Sequence, residues 1–260
     1  MRVIERPSPN FGPRRGVDAP DLVVLHYTDM ASAEAALRRL TDPASEVSAH
    51  YLVGADGLIW RLVEERARAW HAGTAHWGVM GDGGPAGDLA KDVNSRAIGI
   101  ELAHPGHSSS VAGGARACAP FPQPQMDALT KLLASILGQW RIHPSGVLGH
   151  SDVAPGRKID PGEKFDWGRL ARAGLAAPLP RVMRLDSAAV ARAAALAPEA
   201  RRDRFAARLA AIGYGPWNEA ALLDAFRRHW RPAAMGSLAT ERADALDLAV
   251  AEAIEGPSCD

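Results

Sequence analysis

The chain has 260 residues, more than one typical domain of about 150 and enough for a second, smaller one. Hydrophobic residues make up 47% and charged residues 23%, a balance that fills a core and excludes intrinsic disorder. Lys plus Arg and Asp plus Glu number 30 each, so no net field draws the chain to nucleic acid or anionic lipid, and no nucleic-acid partner is expected.

At the start, Pro7, Pro9, Pro13 and Pro20 lack amide donors and fix the backbone angle, so residues 1–20 read as an extended N-terminal arm. The arm has no apolar h-region, and no run of about 18 apolar residues follows anywhere, so neither an export signal nor a membrane anchor is expected. The folded domain begins near Asp21. Leu22, Val23, Val24 and Leu25 form a short apolar run suited to a strand buried on both faces, which ends on His26, Tyr27 and Thr28.

Residues 32–40 read as a short helix closed by Asp42-Pro43, and residues 49–53 and 58–62, joined through Asp56-Gly57, as a hairpin. Residues 64–94 are rich in Gly, Ala and His. A loop of this length is usually functional, which makes it a candidate wall of a binding groove. Residues 97–102 follow as a strand whose apolar pattern is interrupted by Glu101, and residues 104–122 as a second long loop. Met126, Leu129, Leu132, Leu133, Ile136 and Leu137 recur at helical spacing over residues 123–140 and are core packing. Residues 147–149 are another short strand, delivering His150 into the turn-rich residues 151–162.

Strands thus interleave with helices, which predicts an α/β domain over residues 21–177 with a mixed central β-sheet flanked by helices. Beyond Pro178 and Pro180 the composition turns to Ala, Arg and Leu. Helical stripes over 188–196, 202–212, 220–230 and 240–254 predict a small C-terminal all-α bundle over residues 178–260. Cys118 and Cys259 have no CxxC spacing and read as incidental thiols, not a disulfide framework.

Nine histidines occur, and a lone one on a strand is more often a satisfied core residue than a ligand. His26 and His150 each sit at the end of a short strand, and Asp160 lies further along a loop rich in Pro and Gly. Three such ligands leave a fourth position open. Catalytic zinc needs that arrangement, because the water in the open position drops its pKa to about 7, whereas a structural zinc takes four protein ligands. Spacing alone does not establish the site, since histidines and acids fall together by accident in many chains.

Five ordered segments add what spacing lacks: Val23-Val24-Leu25-His26-Tyr27-Thr28; Ser48-Ala49-His50-Tyr51-Leu52-Val53; Ala69-Trp70-His71-Ala72-Gly73; Asn94-Ser95-Arg96-Ala97-Ile98-Gly99-Ile100-Glu101; and Gly149-His150-Ser151-Asp152 continuing to Asp160-Pro161-Gly162. In this order they resemble the type 2 N-acetylmuramoyl-L-alanine amidases, which share their fold with peptidoglycan recognition proteins. The resemblance covers roughly residues 20–175.

The resemblance implies that His26, His150 and Asp160 hold Zn2+, that Glu101 is the catalytic acid and base, and that Lys158 reaches the reacting carbonyl. It implies that His71 and Asn94 line the substrate groove. Trp70 and Trp77 flank the groove segment and are candidates to pack against a sugar ring, while Arg96 or Arg157 could meet a stem-peptide carboxylate. The substrate class so implied is peptidoglycan or anhydro-muropeptides, cut between N-acetylmuramic acid and L-alanine.

His50 is read as a packing or supporting residue and Asp152 as a loop-stabilising acid, with Asp152 the alternative to Asp160 as ligand. His76, His104, His107, His143 and His229 are read as incidental. Over residues 205–250, Leu209-Ala210-Ala211-Ile212-Gly213-Tyr214 and Ala225-Phe226-Arg227-Arg228-His229-Trp230 resemble the helical peptidoglycan-binding domain that follows some of these amidases. The family has wall-facing and cytoplasmic recycling members. The N-terminus points to the cytoplasm, and the C-terminal helices to the periplasm or cell envelope as the alternative. Two other classes of function remain: a recognition module that keeps the groove without catalysis, which the presence of all four polar residues argues against, and an interaction protein whose helices dock a partner.

Overall fold

The structure, a computed structural model, describes residues 2–78, 87–107, 118–236 and 241–254. All six residues of β3 (Leu22–Tyr27) are buried, as their two-sided apolar pattern requires. β3 lies between β7 (Ala97–Leu102) and β8 (Val147–Gly149), parallel to both. Outward from β7 come β4 (Tyr51–Val53), parallel to it, then β5 (Ile59–Arg61), antiparallel to β4, and finally β1 (Val3–Glu5), parallel to β5. Among the described residues this is a mixed six-stranded sheet in the order β1-β5-β4-β7-β3-β8.

Strand alternation sorts the side chains. Val23, Leu25, Ile98, Ile100 and Val147 point to the face covered by α4 (Gln123–Trp140), whose Met126, Leu129, Leu132, Leu133, Ile136 and Leu137 are all buried against it. Leu22, Val24, Ala97 and Leu148 belong to the other face. His26 and Glu101 are in step with that second set, so the polar residues emerge on the face that α4 leaves open.

The expected arm is extended, but it is not separate from the domain. Its residues Val3–Glu5 pair with Ile59–Arg61, and β2 (Phe11–Pro13) pairs antiparallel with β6 (Ala67–Ala69) in a two-stranded ribbon. The prolines fall between or at the ends of these three-residue strands, where no ladder bond is lost. Arg14 then enters the protein, donating to the carbonyls of Glu65 at 2.6 Å and Ser95 at 2.7 Å. Residues 64–94, expected as one long loop, contain β6, α2 (Asp88–Lys91) and α3 (Val93–Arg96), elements too short to show a period in sequence. Residues 79–86 of that segment and 108–117 of the next lie outside the described residues.

α1 (Ala33–Thr41) is capped by Ser32, whose Oγ accepts from the Ala35 amide, a contact worth about 1 kcal/mol. After β8 come α5 (His150–Val153) and α6 (Trp167–Arg172), then the C-terminal α7 (Ser187–Ala195), α8 (Pro198–Ile212), α9 (Glu219–Trp230) and α10 (Ala245–Ala253). The last begins later than the sequence pattern suggested, because Asp244 caps it by accepting from the Asp247 amide at the third helical position. The apolar core does not stop at residue 178. One buried cluster joins Leu22, Val24, Ala97, Leu148 and Val153 to Phe205, Leu209, Leu222 and Phe226, so α8 and α9 pack directly on the amidase-like segment. Among the described residues no helix is long and apolar enough to cross a membrane.

Candidate active site

Three parallel strands end side by side, and their C-terminal ends carry the polar groups, the usual position for ligand sites in such sheets. His26 is the fifth residue of β3, and His150 opens α5 directly after β8. Asp160 is brought back to them by the intervening turn, fastened where the Ser151 amide donates to the Asp160 carbonyl at 2.9 Å. The result is a buried triangle: His26 Nδ1 lies 2.9 Å from His150 Nδ1, and each of these lies 3.0 Å from Asp160 Oδ2.

The protons on the imidazoles decide what this triangle can hold. His150 Nε2 lies 3.0 Å from the Ala72 carbonyl and 3.2 Å from Arg157 Nη2, and it meets the carbonyl as a donor in the tautomer that leaves Nδ1 bare. His26 Nε2 is 3.0 Å from His71 Nδ1, and the tautomer in which it donates there bares His26 Nδ1 as well. Burial, followed by the neighbouring His150, pushes His26 down to about 4, so it is neutral at pH 7. Burial favours a neutral Asp160, but contact with His150 and His26 outweighs it and keeps the carboxylate ionised. In these tautomers three lone pairs face one another with no proton among them, the protonation state that ligation of a metal cation requires. Tetrahedral zinc with ligand bonds of about 2.0–2.1 Å has ligand atoms roughly 3.3 Å apart, close to this triangle. Among the described residues these three are the group of His, Cys, Asp and Glu side chains able to hold a metal ion.

Glu101 stands beside this triangle, its Cα paired with that of His26 across β3 and β7. Burial and then the charge of Asp160 push its carboxyl up to about 8, with Lys158 pulling the other way. Its Oε2 is buried with no hydrogen-bond partner, a cost of about 1–3 kcal/mol that folding alone does not explain. Behind His26, the His71 ring lies on β7 at Gly99, where a Cβ would come within 2.4 Å of His71 Cγ. His50 supports the same layer, accepting from the Gly99 amide at 2.9 Å and donating to the Ala67 carbonyl at 3.1 Å, and burial pushes it down to about 3. A cleft of about 470 Å³ opens over these groups. Leu40, Ser48, Trp70, Arg157, Lys158 and Ile159 line it, and His107 also reaches it.

A family model described as N-acetylmuramoyl-L-alanine amidase matches residues 16–163, which include every residue of the triangle and Glu101. The chain belongs to that amidase family. It is 35% identical over 248 residues to the N-acetylmuramoyl-L-alanine amidase AmiD of Escherichia coli, covering 90% of this chain and 81% of AmiD. The structure of AmiD in complex with anhydro-N-acetylmuramic acid-L-Ala-D-gamma-Glu-L-Lys superposes with a TM-score of 0.72 at 33% identity, over 94% of this chain and 96% of that one. Pseudomonas aeruginosa AmpDH3 bound to an anhydromuramic pentapeptide gives a TM-score of 0.71 at 29% identity, covering 96% and 94%. The 1,6-anhydro-N-acetylmuramyl-L-alanine amidase AmpD of Haemophilus influenzae is 29% identical over 180 residues, 62% of this chain and 86% of AmpD.

Within this family frame, the structure brings His26, His150, Asp160, Glu101, Lys158, His71 and Trp70 to one cleft. It places Asn94 and Arg96 elsewhere. Asn94 is buried, its Oδ1 accepting from the amides of His71 and Ala72 at 3.0 and 2.8 Å, so it fastens the groove segment from behind. Arg96 is also buried, donating to Asp21 at 2.7 Å and to the Trp77 carbonyl at 2.5 Å. Trp77 is core, edge-on to Tyr214 with ring centroids 5.0 Å apart, and is not available to a sugar. Arg157 does line the cleft, yet its guanidinium is bound to the carbonyls of Ala72 and Thr74. Asp152 is no ligand, since both its oxygens accept from Gly149, Tyr214 and His229.

Sequence reasoning missed His107. Read there as incidental, it lines the cleft, its Nδ1 2.9 Å from the Tyr27 hydroxyl and its Nε2 3.0 Å from Glu163. Tyr27 directly follows His26, but nothing in the sequence pairs it with a residue 80 positions away.

Proposed function

We infer that this chain is a zinc-dependent amidase that hydrolyses the bond between N-acetylmuramic acid, or its anhydro form, and L-alanine of the stem peptide. The observation that carries this reading is the close triangle of His26, His150 and Asp160 beside Glu101, whose Oε2 is buried without a partner. The substrates named for AmiD and AmpDH3 support the substrate class.

An amide is a poor electrophile and its nitrogen a poor leaving group until protonated. When bound by His26, His150 and Asp160, zinc supplies Lewis acidity and a water whose pKa falls to about 7. Glu101 takes the proton of the attacking water and passes it to the departing L-alanine nitrogen. Lys158 supplies a positive charge at the cleft where the oxyanion develops. Neutral His71 holds His26 in the tautomer that presents Nδ1. Trp70 and Ile159 offer apolar surface to the sugar and the peptide.

A recognition module without catalysis would have no use for a buried carboxyl next to the metal ligands. Mass spectrometry of the products from a defined anhydro-muropeptide and from intact sacculi, with and without a zinc chelator, tests the reading. Chelator-sensitive release of free peptide supports it, and the better substrate separates recycling from wall remodelling. Zinc-loaded protein that releases no peptide from either would overturn it in favour of recognition.

A further inference from the structure

Helix α9 presents two consecutive polar residues, Arg228 and His229, toward the segment that carries His150 and Asp160. His229 Nδ1 donates to Asp152 Oδ2 at 2.7 Å, and the same oxygen accepts from the Gly149 amide at 2.7 Å. Asp152 Oδ1 accepts from the Tyr214 hydroxyl at 2.6 Å, and that hydroxyl accepts from Trp230 Nε1 at 3.1 Å. Asp152 is 0% exposed, and the His229 ring is sandwiched between Trp167 at 3.7 Å and Trp230 at 4.3 Å. This brace grips α5 at its N-cap, Gly149, and at Asp152, two residues past His150.

Arg228 grips the other end of the segment. It donates to Glu163 Oε2 at 2.9 Å, Glu163 accepts from His107 Nε2 at 3.0 Å, and His107 Nδ1 accepts from the Tyr27 hydroxyl at 2.9 Å. That line of bonds starts three residues past Asp160 and ends next to His26. Between the two braces the turn presses on α9 as well: a Cβ at Gly156 would lie 2.9 Å from that of Ala221.

We propose that α9 is a positioning element of the metal site, with Tyr214, His229 and Arg228 acting through Asp152 and Glu163 to hold His150 and Asp160 in register. The C-terminal helices then complete the active site instead of serving only to tether the enzyme to its polymer. The inference rests on the zinc reading above. Partners bonded directly to metal ligands set ligand orientation, and losing one costs about 10- to 100-fold in metal affinity. Tyr214 and His229 act one step further out, through Asp152 and the backbone that carries His150, so their loss costs less.

The test is zinc affinity of the full-length chain, by competition with a chromogenic chelator, together with kcat at saturating zinc. Tyr214→Phe keeps the ring in the core and removes only the bond to Asp152. His229→Phe keeps the stack and removes the donor, while His229→Asn returns a donor near the Nδ1 position. Arg208→Ala, which frees the carbonyls of Ala251 and Ile254 far from the zinc segment, destabilises the same helices and serves as control. The expected result is zinc bound up to about 10-fold more weakly by Tyr214→Phe and His229→Phe, recovery in His229→Asn, and wild-type affinity in Arg208→Ala despite a lower Tm. Wild-type affinity in all four variants would overturn the inference alone. A wild-type chain that takes up no zinc would overturn the reading of the site and the inference with it.

Discussion

His26 and Glu101 are register partners on adjacent parallel strands, so a metal-ligand candidate and an acid are fixed to the same rung of the sheet. Two rigid strands hold them, and no loop movement is needed to bring the acid to the site. That placement also buries one carboxyl oxygen of Glu101, Oε2, with no hydrogen-bond partner.

Glu101→Gln removes the proton carrier and keeps the shape. Turnover should fall by about 10²–10⁴-fold while zinc stoichiometry is unchanged, measured by peptide release and elemental analysis on the same preparation. Full turnover in this variant would remove Glu101 from the mechanism.

The pH dependence of stability follows from the same residue. The folded pKa of Glu101, about 8, lies above its ordinary 4.5, so metal-free folded protein keeps a proton that the unfolded chain has lost, and stability falls as pH rises from 4.5 through about 8. His26, His50 and His71, lowered by burial from 6.5, act with the opposite sign and contribute stability that is lost as pH drops below 6.5. Their effect cancels when wild type is compared with Glu101→Gln. Thermal unfolding of the two metal-free proteins should show the variant gaining on wild type from pH 4.5 to about 8 and holding level above it.

Gly99→Ala should be damaging beyond its size. The added methyl would project from the sheet face to 2.4 Å from His71 Cγ, and overpacking of this kind costs about 1–3 kcal/mol. Displacing His71 also frees His26 Nε2, so zinc affinity should drop along with Tm. A variant with a lowered Tm and undiminished zinc affinity would show that His71 does not hold the ligand.

Asn94→Ala distinguishes a groove residue from a scaffold residue. Two amides, those of His71 and Ala72, lose their acceptor, at about 1–3 kcal/mol for each buried group left unpaired. Unfolding by denaturant should show that loss. A large rise in KM at unchanged stability would instead return Asn94 to the substrate groove.

The sheet was readable because β3, β7 and α4 carry patterns that survive without context: two-sided apolar runs and a six-residue helical stripe. The cluster of His26, His150 and Asp160 was readable because its residues sit in ordered motifs. The N-terminal strands were not, since three residues between prolines show no period and β1 exists only by pairing with β5. Asn94 and Arg96 lie in the right motif, but a motif does not say which way a side chain faces, and the chain turns both inward. The roles of His107 and His229 depend on partners 56 and 77 positions away, a distance at which one sequence holds no signal.

The most direct test of the zinc-amidase reading is to strip the protein with chelator, return zinc in measured steps, and follow release of free peptide from an anhydro-muropeptide. The account predicts no release from stripped protein and a return of activity that saturates at about one zinc per chain, as three protein ligands with one open position require. Undiminished release from the stripped protein would contradict it.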